Sequence, residues 1–404
     1  NITASDTTNP IATAVENANF APIIRAFAVA SWGPDSAAVI DVTTMYTTAI
    51  PGEIGIGAAG RGAVDASRSF LSSVAAFPQN IEVRSELTFG SAAPAAAAAI
   101  PGLAAGGARS STFLVHWSMV KLPEKPMMPR LLDYRVGYFS NRTVDFSRPV
   151  QKAEMRTFIT RYRLECSDQK VGNLCVPKKP IVYYVDPATP KWLVPWVKKA
   201  IEDWQPAFEA AGFSKGIIAK EAPSKAEDPD WSIEDARYSV VDWLPSSIEN
   251  AVGPHLADPR SGEILSAHLQ IYHNVMNLNR NWYWSQVGAL DPRARKLPFP
   301  DSLAGRLMEY VIAHETGHSI GFQHNMKASS LYPADSIHNR DFVRRMSHTP
   351  TLMDYSRFNY TAQPEDNIAL EDLIPKIGPY DIWATHWGYA PIPTARTPDE
   401  ERAT

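Results

Sequence analysis

Residues 313–325 read AHETGHSIGFQHN, and the placing of His314, Glu315, His318, Gly321 and His324 within them decides how the surrounding chain must fold. Residues four apart on a helix stand one above the other, so His314 and His318 aim their imidazoles at a common point. Glu315 lies one step round, beside that point. A continuing helix could not bring His324 to it. Gly321 supplies the break, because without a Cβ it can take a left-handed conformation that ends the helix and turns the chain back. Three nitrogens at H-E-x-x-H-x-x-G-x-x-H spacing suit zinc, and three protein ligands leave a fourth tetrahedral position open. Each histidine taken alone would read as an ordinary helix or loop residue. Together, at ligand spacing, they do not. Upstream, Asp301 or Ser302 can cap a helix in which Leu303, Leu307 and Val311 share the face of His314 and His318, so that face is expected to be core.

The extended motif resembles that of the metzincin clan of zinc endopeptidases. Met353, in TLMDYSRFNY, stands 29 residues after His324 and resembles the clan's methionine turn beneath the histidines. Tyr355 follows at the spacing where astacins and serralysins carry a tyrosine that reaches the metal or the oxyanion. The resemblance makes it a candidate transition-state donor, with a buried structural tyrosine as the alternative. GPYDIWATHWGY resembles the clan's closing C-terminal helix. Asn325, after the third histidine, matches none of the matrixin, adamalysin, astacin or serralysin patterns, so no subfamily specificity is carried over. RVGYFS, AFEAAGF and DPRSGEIL are similar to stretches of a bacterial group of large secreted metzincin-like proteins with a poorly understood N-terminal domain. The resemblance implies an α+β fold: a mixed, twisted sheet with an active-site helix and a C-terminal helix, preceded by a mostly β domain. It also implies that the strand before the zinc helix is a sheet edge on which extended substrate pairs.

The 404 residues, 45% hydrophobic and 20% charged, can bury a large core and are expected to form two domains. A net charge of −4 gives no basic footprint, which speaks against nucleic acid as a partner. No apolar run is long enough to span a membrane; residues 91–111 are Ala-rich, broken by Pro and Gly, and read as a flexible loop. The absence of a signal peptide is consistent with a mature or trimmed chain. Residues 391–404 read as a polar tail; the proteins that the chain resembles continue much further, which implies a fragment of a longer precursor able to associate with the remainder.

Short β-like runs (AAVIDVT, IEVRSELTF, STFLVHWSMV, DYRVGYFS) place a mostly β domain at 1–150. Residues 151–178 form a connecting segment, and 179–390 the zinc domain. Cys166 and Cys175 lie in a polar segment that suits a hairpin. A small-loop disulfide is favoured, ahead of two free thiols and of a latency cysteine, and it would fit a secreted or periplasmic protein of the bacterial envelope. Gly55, Gly57 and Gly60 spell G-x-G-x-x-G. Pro51 and Gly52 interrupt the strand a dinucleotide site would need, so the match is discounted.

Within the zinc domain, IVYYV and RYSVVDW read as strands. A helix opened by Thr189-Pro190 carries Leu193, Val197, Ile201, Trp204, Phe208 and Ala211 on one stripe, with a kink at Pro206 and an end at Gly212. EILSAHLQIYH alternates as a strand with two unlike faces. His255, His268 and His273 could bind a second metal but read better as ordinary strand and loop residues. The expected activity is peptide-bond hydrolysis, by an endopeptidase or one restricted to short peptides. Zinc is the cofactor, Glu315 the general base, and a peptide or protein the substrate. A non-catalytic scaffold on the same fold is the rival from another class, and it would be expected to have lost a ligand or the glutamate. Structural calcium is left open.

Overall fold

The computed structural model describes residues 2–20, 23, 25–48, 63–90 and 110–404. The G-x-G-x-x-G glycines and nearly all of the 91–111 loop lie outside them. The chain divides into two compact units, Glu16–Lys121 and Asn1–Val15 with Leu122–Thr404. The smaller is mostly β. Strands Phe70–Ala76, Asn80–Phe89 and Ser111–Val120 form an antiparallel meander, and Val29–Trp32 pairs with Ala38–Ile40.

The larger unit holds a six-stranded mixed sheet, so the α+β expectation is met. Its strands are β1 (Ile181–Val185), β2 (Ile217–Glu221), β3 (Ser239–Leu244), β4 (Ala251–Val252), β5 (His255–Ala257) and β6 (Ile264–Tyr272). They lie in the order β2-β1-β3-β6-β4, with β5 also on β6. The first four in that order are parallel; β4 and β5 return antiparallel. β6 is therefore not the edge strand that the resemblance implied. The turn at Asp258–Gly262 reverses the chain, leaving β4 and β5 on the outside and β6 between them and β3.

Five helices complete the frame of the site: α1 (Val194–Glu202), α2 (Gln205–Ala210), α3 (Val275–Val287), α4 (Asp301–Ser319) and α5 (Pro379–Tyr389). The apolar stripe from Leu193 to Ala211 is one face of two helices. The break falls at Asp203–Trp204, just before Pro206, whose ring cannot continue a helix, and Gly212 follows at φ 98°. α4 begins at Asp301 after Pro300 and has no side-chain cap, so Asp301 belongs to its first turn rather than capping it. From Leu307 to Ser319 every residue of α4 is buried. Trp204, fully enclosed, donates its indole N–H to Ala313 O at 2.9 Å and stacks on Phe322. It also meets Gly317, at a point where the backbone is approached by Met353 as well.

The composition change near residue 178 is not where the compact units part. DYRVGYFS is not a strand of the smaller unit: Tyr138 and Ile159 share one core with Trp204 and Phe322. A hairpin of Ser140–Asp145 with Glu154–Ile159 follows, and Cys166 is bonded to Cys175 across the next hairpin. Residues 391–404 are not merely a polar tail. They include the helix Pro398–Ala403, whose buried Glu401 pairs with buried Arg130 at 2.9 Å.

α4 ends in a Schellman arrangement: Phe322 N–H donates to Gly317 O at 3.0 Å and Gly321 N–H to His318 O at 3.1 Å. Gly321 has φ 114°, and a Cβ there would overlap Thr160 O and press on the Tyr138 ring. Replacing Gly321 with Ala should therefore cost about 3 kcal/mol, read by chemical denaturation, with a parallel loss of bound zinc. An unchanged midpoint would contradict the close packing of this turn.

Candidate metal centre

Beyond Gly321 the chain is held by a two-way backbone contact. Phe139 N–H donates to Gly321 O at 2.8 Å, and Gln323 N–H to Gly137 O at 2.8 Å. This short antiparallel bridge directs His324 back over α4. Its Nε2 comes within 3.0 Å of His318 Nε2 and 3.2 Å of His314 Nε2. Two ligands on a tetrahedral zinc lie about 3.3 Å apart, given Zn–N bonds near 2.0 Å. His314, His318 and His324 are the one group of three or more potential metal-holding side chains among the described residues.

The tautomers are set from behind. His314 Nδ1 lies 2.7 Å from Leu352 O and His318 Nδ1 2.8 Å from Phe322 O. A carbonyl only accepts, so each Nδ1 carries the proton and each Nε2 keeps its lone pair. Burial holds the imidazoles neutral, drawing His314 down to about 3 and His318 to about 4. Two imidazoles with a free Nε2 lone pair, joined by the Nε2 of His324, whose protonation burial also disfavours, fit zinc.

Glu315 is buried beside the triad, and burial pushes its carboxyl up to about 8, opposed by a hydrogen bond from Gly253 N–H. A dication on the triad would pull it back down. Gly253 lies between β4 and β5, where a Cβ would overlap Glu315 O, so only glycine lets this strand reach the helix. Sequence reading missed Gly253, because nothing in the Val-Gly-Pro string at 252–254 marks its close approach to a helix.

Met353 is fully buried against Gly317, which places it beneath the triad's helix. Its carbonyl accepts from Asn325 N–H at 2.9 Å. Asp381, in the first turn of α5, clamps this loop. Its carboxylate accepts from Leu352 N–H and Gly378 N–H, both at 2.8 Å, and from the Thr351 hydroxyl. Burial raises Asp381 to about 6, which leaves it ionised at neutral pH. It was not singled out in the sequence, although Gly-Pro-x-Asp is a helix-start pattern.

Tyr355 is 45% exposed, so it is not a buried structural residue; its ring centroid lies 4.3 Å from that of His324. It lines a cleft of about 840 Å³ with Glu315, His318, His324, Phe139 and the 250–255 stretch. His255 Nδ1 meets His318 O at 3.2 Å and its ring packs edge-on to Phe139. His268 pairs with Asp242, and His273 packs on Trp243. These three histidines form no second metal cluster among the described residues.

Asp381→Ala would leave the hydroxyl of Thr351 and two amides without acceptors in a buried site. It should cost about 3 kcal/mol in stability and weaken zinc about tenfold in a chelator competition. Wild-type zinc affinity in a folded variant would show that the clamp does not act on His314.

Residues 296–404 match the family model described as Met-zincin, and residues 1–167 match a Domain of unknown function (DUF5117). No curated protein and no solved structure matches the chain. The first match spans the triad, the Met353 loop and α5, while the sheet at 181–272 lies outside both. With the triad's geometry, it identifies residues 296–404 as a Met-zincin segment, of the metzincin type of zinc protease.

Proposed function

We propose that the chain is a zinc-dependent endopeptidase acting on extended peptide or protein segments. The observation that carries this reading is the convergence of the triad's open side, Glu315, Tyr355 and the outer strand β4–β5 on one cleft. Zinc held by His314, His318 and His324 would supply Lewis acidity toward the scissile carbonyl and lower the pKa of water at the open position. Glu315, held by Gly253 N–H, takes the proton from that water and delivers it to the leaving amine. Tyr355, at the cleft wall beside His324, donates its phenol proton in a hydrogen bond to the developing oxyanion.

The edge strand supports cleavage within a chain rather than at its end. β4 and β5 lie on opposite sides of Gly253, and Gly253 touches the base. A peptide paired on this edge would continue past the reacting bond in both directions. The Cys166–Cys175 disulfide supports an oxidising compartment, in keeping with secretion or the bacterial periplasm. No described helix is long and apolar enough to cross a membrane.

An unbiased peptide-library digest of the zinc-loaded protein should yield internal cleavages. Release of terminal residues alone would contradict the endopeptidase reading. Glu315→Gln keeps the shape of the base but not its proton affinity, so turnover should nearly vanish while zinc is retained. Undiminished hydrolysis would place the base elsewhere. Tyr355→Phe should lower kcat by ~10²–10³ with zinc content intact. A change in stability alone would reduce Tyr355 to a packing role.

A further inference from the structure

Tyr355 is exposed enough to swing away from the cleft, and its hydroxyl hydrogen-bonds to no described residue. Ring packing is what holds it. The His324 ring, tilted 60° to it, has its centroid 4.3 Å away and the His314 ring 5.6 Å, and the Arg357 guanidinium carbon lies 4.4 Å from the Tyr355 centroid. The same carbon is 3.8 Å from the centroid of Trp282, on α3. The contacts thus run from Trp282 to Arg357 to Tyr355 to His324.

Arg357 is placed at some cost. Its backbone is left-handed, φ 58°, a region that residues with side chains seldom occupy. His348 Nε2 meets its carbonyl at 3.1 Å, holding that conformation. Its guanidinium makes no ion pair with a carboxylate among the described residues; besides the two rings it faces the Tyr310 phenol of α4. A cation normally left in water or paired with an acid is here spent on two aromatic faces. A planar guanidinium can stack on both at once, which a lysine ammonium cannot.

We propose that Arg357 is the positioning residue for Tyr355, bracing the tyrosine ring against His324 from its seat on Trp282 so that the hydroxyl stays at the cleft. The proposal rests on the reading of Tyr355 as an oxyanion donor. Arg357 itself does not line the cleft and touches no reacting atom. Its charge also bears on His314 and His324, and the Tyr355→Phe background separates that influence from the one that passes through Tyr355.

A double-mutant cycle on the full, zinc-loaded chain tests this. Arg357→Gln should lower kcat about tenfold or more, leaving KM and zinc content near wild type. In a Tyr355→Phe background the same change should cost nothing further. Arg357→Lys, which keeps the charge but not the plane, should fall with Arg357→Gln and guards against a fold defect peculiar to glutamine. Equal losses with and without the Tyr355 hydroxyl would overturn the proposal, as would wild-type kcat in Arg357→Lys. A fall in thermal stability without a fall in kcat would make Arg357 merely structural. If Tyr355→Phe alone keeps full kcat, the donor reading fails first and takes the positioning role with it; if that variant is impaired but Arg357→Gln is not, only the proposal fails.

Discussion

The left-handed turn at Gly321 is the constraint on which the rest depends. A helix can supply His314 and His318 from one face, yet a third nitrogen within 3.2 Å of both partners needs the chain to reverse within one turn. That reversal is secured on every side. The Schellman bonds satisfy the carbonyls of Gly317 and His318, Tyr389 Oη donates to Ile320 O at 2.6 Å, and Phe139 N–H meets Gly321 O. A helix end buried this deeply would otherwise strand polar groups in the core, each at a cost of about 1–3 kcal/mol. The residues that satisfy them are drawn from segments far apart in sequence, so the turn also gathers the fold around the triad.

The polar groups behind the histidines form a second layer with one purpose, to fix which nitrogen is free. Leu352 O accepts a hydrogen bond from His314 Nδ1–H and Phe322 O one from His318 Nδ1–H. Leu352 is in turn held by Asp381. The clamp therefore runs from α5 through the Met353 loop to the metal-facing imidazole, with each partner either buried or backbone. Such an arrangement exchanges side-chain mobility for a preset donor geometry, which is what a site needs to bind metal without reorganising.

The helix of the triad and the left-handed glycine were legible because each depends on local spacing, whereas the Met353 loop was legible through the resemblance alone. Residues 314, 318, 321 and 324 carry their geometry in the interval between them, and Pro206 and Gly212 mark breaks by their own backbone limits. What was not legible depends on contacts between distant segments. RVGYFS reads as a strand by composition, but its Gly137–Phe139 stretch is recruited to pair with residues 321–323, nearly two hundred positions away. The sheet edge was misplaced because it was carried over from the resemblance: strand order here follows from the turn at Asp258–Gly262 and its pairing, which alternation along 264–272 does not report. Arg357 and Gly253 gave little signal, since a stacking cation and a close backbone approach are defined by what they touch.

The central claim is that His314, His318 and His324 hold one zinc through Nε2, with a position left open. X-ray absorption at the zinc edge of the reconstituted protein measures this directly. Three imidazole nitrogens at about 2.0–2.1 Å and one exchangeable oxygen ligand are expected. A shell with sulfur, with fewer than three imidazoles, or with four protein ligands closing the site would contradict it.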